Sequence, residues 1–186
     1  MRSGIRYFDI RVSSPDNTPD TFRILIELIL EIFGDKLCPA VGNTSDITLR
    51  YLWERKYQVI VFYQIETFKF EGVNFSPKLW PASAIRAPWA NMDNPEGILD
   101  FLDTETKQRS PVKFWVTQGI VTPTQSRIMN SPCRGLRPSA LSMTEKLVEW
   151  LEVNTGVRPH LNIVMCDFIE THSFTSTVIG LNTAEQ

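Results

Sequence analysis

Residues 57–63 read Tyr57-Gln58-Val59-Ile60-Val61-Phe62-Tyr63, an almost uninterrupted apolar run of β-forming residues. A strand covered on one face alternates apolar and polar residues, whereas a strand covered on both faces does not. The run is therefore of the kind that lies inside a parallel sheet with helices on each side. A second such run, Leu161-Asn162-Ile163-Val164-Met165-Cys166-Asp167-Phe168, lies near the other end of the chain. Between and before them come segments with helical periodicity, and this alternation predicts an α/β fold with parallel pairing.

The remaining elements follow outward from these two runs. Ile5 to Val12 carries β-formers and, at period two, places Asp9 and Arg11 on one face of a strand. Phe22 to Phe33 reads as a helix, apolar around most of its circumference, entered through Thr18-Pro19-Asp20 and closed by Gly34. Ile47 to Trp53 is a short amphipathic helix. A Pro- and Trp-rich loop is expected from about Glu66 to Asn94, long enough to be functional or to pack on its own side chains. Asn94-Pro95-Glu96 starts a helix that runs to about Thr106. Val112 to Val121 is a strand ended by Thr122-Pro123-Thr124, Thr144 to Val153 a helix closed by Gly156, and Phe174 to Leu181 a final helix. That makes four strands, with no internal repeat and no low-complexity segment.

The chain has 186 residues, 19 basic and 21 acidic, for a net charge of -2. It is well short of the roughly 250 residues that a complete eight-stranded α/β barrel takes. The balance of charge supplies no basic stripe for DNA or RNA, so no nucleic-acid partner is expected. Three widely spaced cysteines, Cys38, Cys133 and Cys166, fit reduced thiols and a cytoplasmic chain. The N-terminus enters a strand-like stretch without the apolar core of a signal peptide, and no apolar run reaches the roughly 20 residues that span a bilayer. No two Cys or His residues stand at metal-ligand spacing, so no metal is expected. The glycine-rich and nucleophile-elbow signatures of dinucleotide, nucleotide and serine-hydrolase sites are absent as well. No cofactor is implied.

Three residues are candidates for chemistry. Asp9 and Arg11 put opposite charges on one face of a strand, where they form either an ion pair or a ligand-binding couple. Asp167 stands at the carboxyl end of the last strand, the place where α/β enzymes keep catalytic groups; the alternative is a loop or capping hydrogen bond. The histidines are less promising. His172 follows Asp167 in a loop where a surface or capping role is the default, and His160 precedes its strand on the amino-terminal side. Cys133, in Cys133-Arg134-Gly135, has no histidine partner in reach and reads as a loop cysteine.

The ordered segments Gly4-Ile5-Arg6-Tyr7-Phe8-Asp9-Ile10-Arg11, Ile32-Phe33-Gly34-Asp35-Lys36-Leu37-Cys38-Pro39, Thr48-Leu49-Arg50-Tyr51-Leu52-Trp53, Leu79-Trp80-Pro81, Pro88-Trp89-Ala90-Asn91, Val116-Thr117-Gln118-Gly119 and Asn162-Ile163-Val164 resemble the X domain of phosphatidylinositol-specific phospholipase C. The likeness is greatest to the small animal proteins that consist of little besides that domain. It runs over nearly the whole chain. The resemblance implies a distorted TIM barrel and a phosphoric diester hydrolase reaction in lipid metabolism, in which the inositol 2-hydroxyl attacks phosphorus. The family's general acid and general base are two histidines. Arg11 matches the arginine that supplies positive charge to the phosphate in metal-independent members, Asp9 the carboxylate that orients the phosphate-side residues, and Asp167 the carboxylate that holds the general-base histidine. The implied partner is a phosphoinositide head group or a membrane surface met peripherally.

Two departures from the family pattern carry expectations of their own. The Asp-x-Arg strand begins at residue 5, so the preceding strand with its Ser-His-Asp segment has no counterpart. Around residues 14–21, where the family holds the second histidine strand, a helix and another strand, only a short polar stretch stands. Neither His160 nor His172 falls at a family catalytic position. The expectation is a single partial X domain over residues 1–186, an incomplete barrel with impaired turnover, since each lost acid or base costs about 10²- to 10⁴-fold. The alternative is a non-catalytic truncated form that acts by binding.

Overall fold

In the computed structural model, residues 7–11, 19–63, 77–130 and 135–182 are described. They fall into two compact units. One comprises Phe8–Arg86 with Pro111–Phe114, and the other is built mainly from Ala87–Ser110 and Trp115–Gln186.

In the first unit, helix α1 (Pro19–Phe33) runs into a 3-10 turn, Gly34–Lys36. Gly34 takes φ +47°, a left-handed value that glycine adopts without a Cβ penalty. Lys78 donates from Nζ to the Gly34 carbonyl and pairs with Asp35, both at 3.0 Å, placing a cation at the negative end of the helix. Helix α2 (Leu49–Glu54) is capped by Thr48, whose Oγ1 accepts from the Tyr51 amide at 3.1 Å. Strands β1 (Phe62–Tyr63) and β2 (Trp80–Pro81) pair in parallel, and a parallel bridge joins Leu37 to Val59. A 3-10 turn (Ala82–Ala84) leads to β3 (Ile85–Arg86). The core of this unit is Trp80, fully buried, with Leu37, Cys38, Leu79 and Ile85. The Trp80 indole Nε1 donates to the Cys38 carbonyl at 2.9 Å, satisfying the one polar atom that burial would otherwise penalise. Phe62 and Phe114 meet the Trp80 ring at centroid distances of 5.9 and 5.6 Å.

The second unit holds α3 (Pro95–Lys107), most of β4 (Phe114–Gly119), α4 (Gln125–Asn130), α5 (Arg137–Val153), β5 (Ile163–Cys166) and α6 (Phe174–Gly180). Asn94 caps α3 with Oδ1 accepting from the Gly97 amide at 2.6 Å, and Pro95 occupies the first turn, where its missing N–H is not needed. Helix α5 buries Ala140, Met143, Thr144, Leu147, Val148 and Leu151, one face at helical spacing. Strands β4 and β5 are parallel in the register Val116 to Ile163 through Gly119 to Cys166. Their contact with α3, α5 and α6 makes one core, centred on Ile98, Leu102, Met143, Leu147, Leu151 and Phe174. At Gly119 a Cβ would strike the side chain of Leu147, so the close approach of α5 to β4 requires glycine there.

The fold is mixed α/β with parallel strand pairs, as the apolar runs imply. Several boundaries differ from the sequence reading. No strand is assigned over residues 7–11, where Phe8 and Ile10 are exposed; residues 5, 6 and 12 of the expected strand lie outside the described residues. Alternation marks a strand covered on one face, but only a neighbouring strand can take its backbone hydrogen bonds. The Tyr57–Tyr63 run is half-buried, apart from an exposed Gln58, and only Phe62–Tyr63 is regular strand, because among the described residues β2 pairs with those two positions alone. The expected loop before Asn94 contains β2 and β3 in its described part. Helix α5 starts at Arg137, seven positions before Thr144, with Pro138 in its first turn, and α4 is too short for its periodicity to register.

Candidate functional site

In a parallel sheet the carboxyl ends of the strands share one edge, outside which ligands bind, and the second unit builds a candidate site there. Strand β5 ends at Cys166, and Asp167 follows as the first residue of the turn to α6. Its main-chain carbonyl accepts from Thr144 Oγ1 on α5 at 2.7 Å, a hydroxyl shared with the Ala140 carbonyl at 3.0 Å. The Asp167 side chain meets solvent, while the packing around it strips part of the carboxylate's hydration and pushes its pKa up from the ordinary range.

The turn from β5 to α6 is strained. Phe168, His172 and Ser173 all adopt left-handed φ between 52° and 58°, a region that costs non-glycine residues of order 1–3 kcal/mol each. The Phe168 carbonyl holds the turn by accepting from the Thr171 amide at 3.0 Å and from its Oγ1 at 2.8 Å. Over the Phe168 ring lies the guanidinium of Arg137, 4.6 Å from the centroid, so the residue beside Asp167 carries an exposed cation.

The exit of β4 is tied to the loop 87–94. Gln118 Nε2 donates to the carbonyls of Ala87 and Pro88 at 2.8 and 3.1 Å, and Trp89 Nε1 donates to Thr122 Oγ1 at 2.8 Å. The Thr122 amide donates to the Met92 carbonyl at 2.7 Å, and Thr124 Oγ1 to Asp93 Oδ2 at 3.0 Å. Asn91 in this loop also has φ +52°. Five side chains thus fix an irregular segment against one strand end.

Asp9 and Arg11, the other two candidates, belong to the first unit. They do pair, Arg11 Nη2 to Asp9 Oδ2 at 3.4 Å, but their side chains are 41% and 88% exposed. The pair is a surface one, of the kind that adds little to stability. His160 ends the 3-10 turn Thr155–His160 before β5, and its carbonyl accepts from Arg109 Nη1 at 2.9 Å. His172 is an exposed turn residue. Cys38 and Cys166 are buried free thiols; burial pushes Cys166 up to about 12, beyond the reach of thiolate chemistry at neutral pH. Cys133 lies outside the described residues. Among the described residues no group of three or more His, Cys, Asp and Glu gathers to hold a metal ion, and no helix is long and apolar enough to cross a membrane.

Arg137, Gln118 and Trp89 went unrecognised as site residues. A signal existed for Gln118, a polar residue inside an apolar strand segment. Arg137 gave none, because its position depends on α5 starting before Thr144.

The chain is 36% identical to PI-PLC X domain-containing protein 2 of Mus musculus over 230 aligned positions, covering 98% of this chain and 66% of that protein. It is 36% identical to PI-PLC X domain-containing protein 3 of Homo sapiens over 163 residues, 85% of this chain and 48% of that protein. The chain belongs to the PI-PLC X domain-containing proteins. PI-PLC X domain-containing protein 1 of Mus musculus is 35% identical over 156 residues. This X-domain chain spans about half the length of proteins 3 and 1. The alignment to mouse protein 2 has 230 positions against a chain of 186 residues, so at least 44 positions of that protein lie opposite no residue of this X-domain chain. No protein-family profile and no solved structure matches it.

Proposed function

We propose that this chain is a partial phospholipase C-type X domain, an incomplete distorted barrel descended from phosphoric diester hydrolases of lipid metabolism, whose turnover is impaired. The observation that carries this reading is the alignment to mouse protein 2, which takes in 98% of the chain yet leaves at least 44 positions of the relative unmatched. On this reading the unmatched positions include the family's second histidine strand, helix and following strand, in whose place only the short polar stretch around residues 14–21 stands.

The chemistry supports impairment. Cleavage of a phosphodiester by an internal hydroxyl needs a base to take the hydroxyl proton, an acid to protonate the leaving oxygen and a cation on the phosphorane-like transition state. At the carboxyl edge of β4 and β5, Asp167 supplies a carboxylate and Arg137 a cation. His160 sits before β5, at the opposite end of the strand from that edge. On this reading Arg11 and Asp9 retain the family's phosphate-side pair without the histidines it serves, no metal is required, and contact with a phosphoinositide head group is peripheral and cytoplasmic.

Purified chain is incubated with phosphatidylinositol vesicles, with and without calcium, and inositol phosphate release is compared with that of full-length mouse protein 2. Release near background under both conditions is expected. Turnover comparable to that of the mouse protein overturns the reading.

A further inference from the structure

We infer that the exposed face of α1 is a self-association surface, on which two copies of this chain pair antiparallel about a two-fold axis. No residue from Arg23 to Phe33 is buried. Half-burial falls on Leu25, Ile26, Ile29, Leu30 and Phe33, so that side is partly covered. The other side repeats a charged residue followed by an apolar one on three successive turns: Arg23-Ile24, Glu27-Leu28 and Glu31-Ile32. Ile24, Leu28 and Ile32 are 52%, 46% and 66% exposed. At about 100° per residue these three form one stripe, with Arg23, Glu27 and Glu31 forming a second stripe along its flank.

The pattern selects its occupant. Three large aliphatic side chains in line, at spacing i, i+4 and i+8, offer a seam to another apolar helix. A two-fold pair brings the same patch together from both copies, so residue i meets j and j meets i. With the helices antiparallel and centred near Glu27-Leu28, the charged flanks lie side by side in opposite directions: Arg23 of each copy meets Glu31 of the other at both ends, and these two opposite-charge pairs outnumber the one like-charge contact, Glu27 against Glu27 at the axis. A parallel pair would set each charged flank against the partner's half-buried apolar side instead. Within one copy Arg23 Nη1 reaches Glu27 Oε1 at 3.7 Å, an exposed pair of small worth. The missing segment adds a reason for exposure, since on the proposed reading it would fall just before α1 and remove cover from this helix; that step rests on the reading above, whereas the stripe and its charges do not.

The full chain is followed by sedimentation velocity and equilibrium over a range of concentrations, a readout that needs no turnover. A monomer–dimer equilibrium that stops at the dimer is expected. Leu28→Lys should weaken it about a hundredfold, since a symmetric pair loses two buried leucines at once. Arg23→Glu and Glu31→Arg, both on exposed positions, should each weaken the dimer, and an equimolar mixture of the two variants should restore it as a heterodimer with opposite charges at both ends. Circular dichroism of each variant establishes that α1 and the fold persist. A chain that stays monomeric, including one that sediments with phosphatidylcholine vesicles instead, overturns the proposal. So does association indifferent to Leu28→Lys, open-ended aggregation, or a charge-variant mixture no more associated than its components.

Discussion

The hydroxyl of Thr144, in the middle of α5, donates to the main-chain carbonyl of Asp167 at 2.7 Å, joining a buried helix position to the residue that leaves the last strand. Thr144 is fully buried while Asp167 is exposed, so the bond lies at the edge of the core, and its loss leaves the carbonyl without this donor. Thr144→Val, close in shape, should destabilise the chain by about 1–3 kcal/mol, and Thr144→Ser, which keeps the hydroxyl, by less. Urea unfolding of the two variants checks the order. If Val and Ser prove equally costly, packing rather than the hydrogen bond holds the turn.

The α3 cap permits a second test. Asn94 Oδ1 accepts from the Gly97 amide, and a Cβ at residue 97 would approach that same oxygen to 2.7 Å. Asn94→Ala should cost about 1 kcal/mol and Asn94→Asp nearly nothing, because either side-chain oxygen can accept the orphan amide. Gly97→Ala, elsewhere a helix-favouring change, should destabilise here by crowding the cap. A gain in unfolding midpoint for Gly97→Ala would show that the cap gives way easily.

What was legible in the sequence depended on whether a residue's partner was local. The start of α3 at Asn94-Pro95, the Gly34 stop and the helical stretch from Thr144 to Val153 all follow from spacing within a few residues, and they stand where spacing puts them, whereas Thr48, read as part of a helix from Ile47, is the cap before it. The parallel pairing of β4 with β5 was also readable, since apolar runs imply cover on both faces. What failed needed a distant partner. Residues 7–11 alternate correctly and form no assigned strand, and 57–63 is apolar but half-covered, because a strand's state is decided by neighbours that its own residues do not encode. Arg137 reaches Phe168 across 31 positions of sequence, and Trp89 reaches Thr122 across 33, so neither contact has a local signature.

Acid and neutral solution should discriminate two carboxylates. Asp103 accepts from Lys107 Nζ at 2.7 Å and from Asn154 Nδ2 at 2.6 Å, and these bonds hold its pKa below the ordinary value. A depressed carboxyl contributes stability above its unfolded pKa, near 3.9, and loses it as pH falls through the folded value. Asp167 is the opposite case, with burial raising its pKa. The folded state then holds the proton more tightly, and stability declines as pH rises from the unfolded value through the folded one. Asp167→Asn should therefore raise the melting temperature at neutral pH and change it little in acid, while Asp103→Asn should lower it at neutral pH and lose its effect in acid. Thermal melts from about pH 3 to pH 7 bracket both transitions. An Asp167→Asn variant no more stable than the parent at neutral pH would show that its carboxylate keeps its hydration.

The tightest steric relationship in the second unit gives the last test. Gly119, buried at the end of β4, faces the side chain of Leu147 of α5, which is also fully buried. Gly119→Ala inserts a methyl group into filled space and should destabilise by about 1–3 kcal/mol. Leu147→Ala alone leaves a cavity and should cost about 2–5 kcal/mol. Combining them places the new methyl in that cavity, so the double variant should be more stable than the sum of the two single losses predicts, with a coupling of about 0.5–3 kcal/mol. Additive losses would mean that the new methyl does not enter the space that Leu147 vacates, and that the two residues do not limit each other. The distinction matters for the candidate site, because the helix that presses on Gly119 also carries Thr144 and Arg137, and its distance from the sheet sets where both of them stand relative to Asp167.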